Sequence, residues 1–174
     1  MASITAKRFD ITTFNGDAIV NAANESLMGG GGVDGAIHLA AGPQLDRECR
    51  LLGGCKAGEA KITSGCSLKA KYIIHTVGPI YSENSEDESK RLLENCYRNC
   101  LDLARANSIK SIAFCSISTG IFGYPKDKAA KIAVSTTRKW LADNDGYNLD
   151  VMFSCFDNET LKLYKSELRY MNGI

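Results

Sequence analysis

The stretch AIVNAANESLMGGGGVDGAIHLAAG, Ala18 to Gly42, changes character twice. It opens on Ala18-Ile19-Val20, an unbroken apolar run of the kind an interior strand needs. It closes on Val33 to Ala41, where apolar residues recur at helical spacing and Gly42 marks the stop. Between them lie a polar loop and four consecutive glycines. A strand that feeds through a glycine loop into a helix is the building unit of α/β architecture.

Outward from this stretch the same alternation continues. Strand-like runs are expected at SITAKRFDIT (3–12), AIVNAA (18–23), EAKITSG (59–65), KYIIHTVG (71–78), SIAFCSIS (111–118) and DVMFSCF (150–156), with the third and fourth as an adjacent pair. Helices are expected at 33–42, at 43–54 behind Pro43, at 85–107, from about Pro125 to Asp143, and from about Asn158 to Arg169. The third helix begins with acidic residues and ends on Arg105, as the helix dipole favours. This order predicts helices on both faces of a largely parallel sheet. With no internal repeat or linker, residues 1–174 read as one domain.

Composition narrows the partners. Lys+Arg 21 against Asp+Glu 20 leaves no net field to draw in nucleic acid or a membrane surface. The 7 cysteines are odd in number and scattered, and MASITAKRFD has no apolar core of an export signal, so a cytoplasmic setting is expected. Cys96 and Cys100 lie four apart on a helix with no C-x-x-C or His pair nearby, which reads as packing and not as zinc. His38, His75 and Trp140 likewise read as structural residues.

Gly30, Gly32 and Gly35 match G-x-G-x-x-G, the spacing of a dinucleotide-binding turn, yet Asp34 sits inside it. An unopposed carboxylate repels phosphate, so either the loop binds none or Asp34 is there for chemistry. NAANESLMG separates the strand from the glycines, which fits a Rossmann fingerprint poorly, and the absence of G-K-[ST] rules out a Walker loop. No basic residue occurs from Asn21 to Gly35 or from Ser118 to Tyr124, so a phosphate here would be held by backbone amides and hydroxyls. Asn21 and Asn24 read equally as turn residues or as amides that grip a hydroxyl or a water. The second loop, STGIFGYP, offers Ser118 and Thr119 as donors, Gly120 and Gly123 for close approach, and Phe122 and Tyr124 as ring faces. Both loops follow strands directly, and ligands of open α/β sheets bind at strand carboxyl ends.

The runs DAIVNAANESLMGGGGVDGAIHLAAGP, KYIIHTVGP and SISTGIFGYP, in this order, closely resemble the macrodomain family, and within it the MacroD-type ADP-ribosyl hydrolases that include bacterial O-acetyl-ADP-ribose deacetylases. The resemblance implies a three-layer α/β/α sandwich around a mixed, mostly parallel sheet, with ADP-ribose held above the strand ends. It implies that Asp10 and Ile11 receive adenine, although Phe9 stands where relatives often have Gly, and that Phe156 packs near the adenosine. It places Gly31, Gly32, Val33 and Asp34 in the first binding loop, and Ser118, Thr119, Gly120, Ile121 and Phe122 around the diphosphate. Asn24 would lie beside the distal ribose and Asp34 would accept a proton from water, with no cofactor and no metal. Leu39, where many relatives have Arg, is not expected to alter the chemistry.

The activity implied is hydrolysis of ADP-ribose esters: deacetylation of O-acetyl-ADP-ribose and removal of mono-ADP-ribose from Asp and Glu side chains. No Cys or Ser stands beside a His in either loop, so a covalent triad is not supported. The other readings are a non-catalytic ADP-ribose reader and a weak ADP-ribose 1″-phosphatase.

Overall fold

The structure is a computed structural model that describes residues 2–172. Its strands are β1 (Ser3–Arg8), β2 (Ala18–Ala22), β3 (Ala60–Ser64), β4 (Tyr72–Thr76), β5 (Ser111–Phe114) and β6 (Asp150–Cys155). Its helices are α1 (Gly32–Ala41), α2 (Pro43–Leu52), α3 (Glu86–Ala106), α4 (Lys126–Asp143) and α5 (Asn158–Asn172). The strands form one sheet in the order β1-β6-β5-β2-β4-β3. Every neighbouring pair is parallel except β3 with β4, the expected adjacent pair, which is antiparallel.

All six strands are shorter than the expected runs, and two of them end four residues early. The first was expected to reach Thr12, but it stops at Arg8: Asp10 Oδ1 accepts from Thr12 N at 3.0 Å and bends the chain into a 3-10 turn, Ile11–Thr13. The fifth stops at Phe114, and its apolar continuation, Cys115 and Ile117, packs as buried loop.

Helix ends follow local chemistry. The Ser85 hydroxyl caps α3 by accepting from Glu88 N at 3.1 Å, and Glu86, Asp87 and Glu88 follow in its first turn. Gly53 ends α2 in the left-handed conformation at φ 70°, and Lys61 Nζ donates to Leu52 O at 2.9 Å.

Ala18, Ile19, Val20 and Asn21 of β2 are all fully buried, and because successive strand residues point to opposite sides, both faces of the sheet are covered. The result is a three-layer sandwich with α1 packed on α2, and α3, α4 and α5 in a second row. The two faces differ in kind. Val20, Phe114 and Phe153 sit in register on one, where Phe114 meets Tyr97 of α3 at 5.1 Å between ring centroids and Phe153 meets Tyr164 of α5 at 4.8 Å. Asn21 and His75 sit in register on the other, under α1 and α2.

Cys96 and Cys100 are fully buried on α3, and burial pushes the Cys96 thiol up to about 11, as expected of packing residues. Trp140 is also in the core, with Nε1 donating to Asp102 Oδ1 at 2.8 Å.

Candidate active site

Parallel strands leave their carboxyl ends on one edge of the sheet. β1, β6, β5 and β2 lie side by side, so Asp10, Phe156, the Ser118–Phe122 loop and the Asn24–Asp34 loop line that edge in this order. Three strand spacings separate the first from the last, about 14 Å. The sheet order also reverses here: after β2 the chain builds β3 and β4 on one side of it and then β5 and β6 on the other, and such switch points open a crevice.

The first loop is built around Asn24. Its backbone oxygen accepts from Leu27 N at 3.1 Å, Ser26 Oγ donates to its Oδ1 at 2.7 Å, and its Nδ2 donates to Gly29 O at 3.1 Å. Asn24 is thus a turn residue whose amide is also fixed in space. The turn places the buried Leu27 at φ 61° and Gly29 at φ 98°. A Cβ at Gly31 or Gly32 would meet nothing within 4 Å, and Gly31 caps α1 with no side-chain bond, so the first N–H groups of the helix open onto free space. Gly35 is different: a Cβ there would lie 2.5 Å from Gly30 O, so this glycine lets the loop lie on its helix.

Asp34 in the first turn of α1 is 5% exposed. Its Oδ1 accepts from Asn21 Nδ2 at 2.8 Å and lies 3.3 Å from His38 Nε2 one turn on. His38 Nδ1 in turn contacts Asp46 Oδ1 of α2 at 2.8 Å. Burial raises the Asp34 carboxyl above the ordinary aspartate value, while the Asn21 bond and the His38 ring pull it back down. A Cβ on Gly30 would stand 3.3 Å from Asp34 Oδ2 and 3.5 Å from Asn24 Nδ2, so carboxylate and amide flank one small space that glycine leaves open. Such a carboxylate can take a proton from a molecule held there.

The second loop is clasped to the segment after β4. Ser118, at φ 66°, donates from Oγ to Pro79 O at 2.8 Å, Tyr81 N donates to Phe122 O at 2.9 Å, and Tyr124 N donates to Ser118 O at 2.9 Å. The Ser118 hydroxyl proton is therefore spent on the loop itself. Thr119 pairs with Ser116 at 2.7 Å, Gly120 is exposed, Ile121 at the tip is 99% exposed and Phe122 is partly exposed. Tyr124 corrects the sequence reading: it is 3% exposed and packs tilted against Tyr81 with ring centroids 4.8 Å apart, so its ring supports the loop and offers no face to a ligand.

At the other end of the edge, Asp10 is exposed, with Oδ1 accepting from both Thr12 N and Thr12 Oγ1, the latter at 2.8 Å. Ile11 is buried beneath it, and Phe156 is 91% exposed. Ser154 Oγ donates to Phe9 O at 2.8 Å and ties the β1 exit to β6.

Two features of the Asp34 surroundings escape the sequence. Asn21 is no turn residue: it lies on β2, fully buried, and its amide holds the Asp34 carboxylate. His38 is more than packing, since its ring bridges Asp34 and Asp46. The i, i+4 spacing of Asp34 and His38 is the one signal that could have found the second contact.

Comparison with known proteins agrees with this geometry. Residues 20–133 match the Macro domain family model. A macro domain-containing protein of Chlorobaculum tepidum is 54% identical over 165 residues, 95% of each chain. The human ADP-ribose glycohydrolase MACROD2 is 51% identical over 165 residues, 95% of this chain and 39% of its own length. Among solved structures, the Oceanobacillus iheyensis macrodomain with ADP is similar with a TM-score of 0.91 at 43% identity, covering 97% of this chain and 90% of its own. The Trypanosoma brucei macrodomain in complex with ADP-ribose is similar with a TM-score of 0.89 at 44% identity, covering 95% of this chain and 68% of its own. On sequence and fold together, the chain belongs to the macro domain family.

Proposed function

We propose that this macrodomain binds ADP-ribose along the sheet edge and hydrolyses its acyl esters, both O-acetyl-ADP-ribose and mono-ADP-ribose carried on Asp or Glu side chains. One observation carries the reading: Asp34, buried and held by Asn21, faces Asn24 across the space above Gly30, at the far end of the edge from Asp10. A module that only binds gains nothing from a desolvated carboxylate beside its ligand, which is costly to keep. The ligands named for two similar structures, ADP and ADP-ribose, and the glycohydrolase name of the human relative support the substrate class.

In this reading Asp10 and Ile11 take the adenine with Phe156 beside it. Backbone amides of Gly31 to Val33 and of Ser118 to Phe122 hold the diphosphate, with no need for a cation. Asn24 orients the distal ribose and a water. As that water bonds to carbon its proton passes to Asp34 and the C–O bond of the ester breaks: attack at the acyl carbon frees the ribose oxygen, which takes the proton from Asp34 to become a hydroxyl, and attack at the anomeric carbon frees the carboxylate. Carboxylate and hydroxyl products from ¹⁸O-labelled water separate the two routes. Esters suit such a site because their leaving groups need little help, whereas Ser-linked or Arg-linked ADP-ribose should resist. The unpaired cysteines favour a cytoplasmic setting.

The test is release of acetate and ADP-ribose from O-acetyl-ADP-ribose, beside calorimetric binding of ADP-ribose, for wild type and Asp34→Ala. General-base help amounts to roughly 10²- to 10⁴-fold, so the variant should lose about that much rate while it still binds. Binding without turnover in the wild type, on acyl and protein-linked substrates alike, would leave a reader. Phosphate release from ADP-ribose 1″-phosphate that outpaces acetate release would make the protein a phosphatase.

A further inference from the structure

From the hydrogen bonds beneath Asp34 we infer that His75 is a positioning residue for the proposed hydrolysis: it fixes the orientation of the Asn21 amide and through it the charge state of Asp34. The inference rests on the hydrolytic reading for its kinetic consequence, and on the geometry alone for its structural one.

Asn21 and His75 are register partners on adjacent parallel strands, and both are fully buried. Asn21 Nδ2 has two acceptors, Asp34 Oδ1 at 2.8 Å and His75 Nδ1 at 3.2 Å. On the far side of the ring, His75 Nε2 lies 3.0 Å from Thr63 Oγ1, and Thr63 Oγ1 donates to Ser64 O at 3.0 Å. A hydroxyl that spends its proton on a carbonyl must accept from the ring, so Nε2 carries the hydrogen and Nδ1 is left as an acceptor. Burial pushes His75 down to about 4, which keeps the ring neutral at physiological pH and Nδ1 unprotonated.

The other end of the amide gives no guidance. Asn21 Oδ1 is buried and has no hydrogen-bond partner, so nothing on that side distinguishes oxygen from nitrogen. Only Asp34 and His75 choose which atom faces them. A protonated Nδ1 would call the amide oxygen round to face it, and that oxygen would then stand against the Asp34 carboxylate. The chain Thr63, His75, Asn21, Asp34 thus runs in one direction because a backbone carbonyl, Ser64 O, sets its start.

The other groups that face Asp34 are His38 on α1, Asp46 and Cys49 on α2, and Cys115 after β5. His38 pulls the carboxyl down and its Nδ1 lies 2.8 Å from Asp46 Oδ1, while the thiols of Cys49 and Cys115 are pushed up to about 11 and about 12 and stay neutral. Of these, Cys49 and His38 also face His75, with Cys49 Sγ 3.9 Å from its Nε2 and the two imidazole centroids 6.4 Å apart, and both are kept in every variant below.

The test compares His75→Asn, which keeps an acceptor close to the Nδ1 position, with His75→Leu, which removes it. Thr63→Val, which removes the acceptor for Nε2–H and frees the ring to carry its proton on Nδ1, is a second route to the same end should His75→Leu not fold. The Asp34 carboxyl is titrated by ¹³C NMR in each, and kcat against pH is measured with O-acetyl-ADP-ribose. His75→Asn should titrate as wild type. His75→Leu and Thr63→Val should move the Asp34 titration, and with it the acid limb of kcat, upward by about one pH unit, a tenfold change in proton affinity, with KM little changed. A titration that stays put in His75→Leu and Thr63→Val, or that moves as far in His75→Asn as in His75→Leu, overturns the inference. If the wild type shows no turnover, the hydrolytic reading fails and the NMR titration still decides the role of His75.

Discussion

The two faces of the sheet are made by neighbouring residues of the same strands, yet they follow opposite rules. On one, Val20, Phe114 and Phe153 meet Tyr97 and Tyr164 in a packed aromatic layer. On the other, one residue along, Asn21 and His75 hold a buried polar chain that ends on Asp34. Apolar packing has no direction and stabilises whatever fills the volume. A buried hydrogen-bond chain is worth little net and is costly when broken, but it specifies orientation atom by atom. One face therefore carries stability, and the other carries aim.

The largest effects should separate the faces cleanly. Phe153→Ala deletes a fully buried ring with three aromatic neighbours and should cost about 3 to 5 kcal/mol of unfolding free energy, with kcat per folded molecule unchanged. Asp34→Ala should do the reverse: it removes a group whose ionised form is disfavoured by its surroundings, so urea unfolding should show no comparable loss while turnover falls roughly 10²- to 10⁴-fold. Equal stability losses in both variants would erase the distinction.

Acid response should sharpen the contrast, because the polar face carries a histidine and a carboxyl that bind protons differently in the folded and unfolded chain. His75 is pushed down to about 4 in the fold from an ordinary value of 6.5. Between those values the unfolded chain binds a proton that the native protein refuses, so stability falls as pH drops through that window. The full effect is about 3 kcal/mol. In thermal melts from pH 7 to pH 4, His75→Asn should flatten that slope. Asp34 has the opposite sign. Its folded value is raised, so the native protein keeps a proton the unfolded chain has lost, and stability falls as pH rises through the folded value. Asp34→Asn should therefore melt above wild type at pH 7, with the gap closing in acid. A gap that widens in acid would mean that burial is not what perturbs this carboxyl.

The same contrast explains what the sequence disclosed. Continuous apolar runs such as Ile73-Ile74 and Ile112-Ala113-Phe114 announce interior strands because each residue needs burial whichever way it points. The setting of the two loops then follows, since both glycine segments leave strand ends. Register does not follow. That Asn21 sits opposite His75, 54 residues away, depends on how β2 and β4 slide past one another, and no local signal in NAAN carries it. The exposure of Phe122 and the burial of Tyr124 were equally hidden: two aromatic residues flank Gly123, and only the clasp between Tyr81 and Phe122 decides which ring turns inward.

The smallest predicted change probes the space between the two groups that the polar chain aims. Gly30 is the one glycine in the run from Gly29 to Gly32 whose added Cβ would touch both Asp34 and Asn24, at 3.3 and 3.5 Å, and its backbone lies outside the left-handed region. Gly30→Ala therefore adds no backbone strain and should leave the melting temperature within a degree or two of wild type, as surface changes within about 0.5 kcal/mol do. It intrudes on the space where the proposed mechanism puts its water, between carboxylate and amide, and displacing that water by even 1 Å would lower kcat by about tenfold or more. Gly35→Ala, whose Cβ would meet Gly30 O at 2.5 Å, should instead lower stability and activity together because the loop itself must move. If Gly30→Ala turned over at the wild-type rate, the reacting water would have to stand elsewhere, and Asp34 would be aimed at something other than the space its own loop encloses.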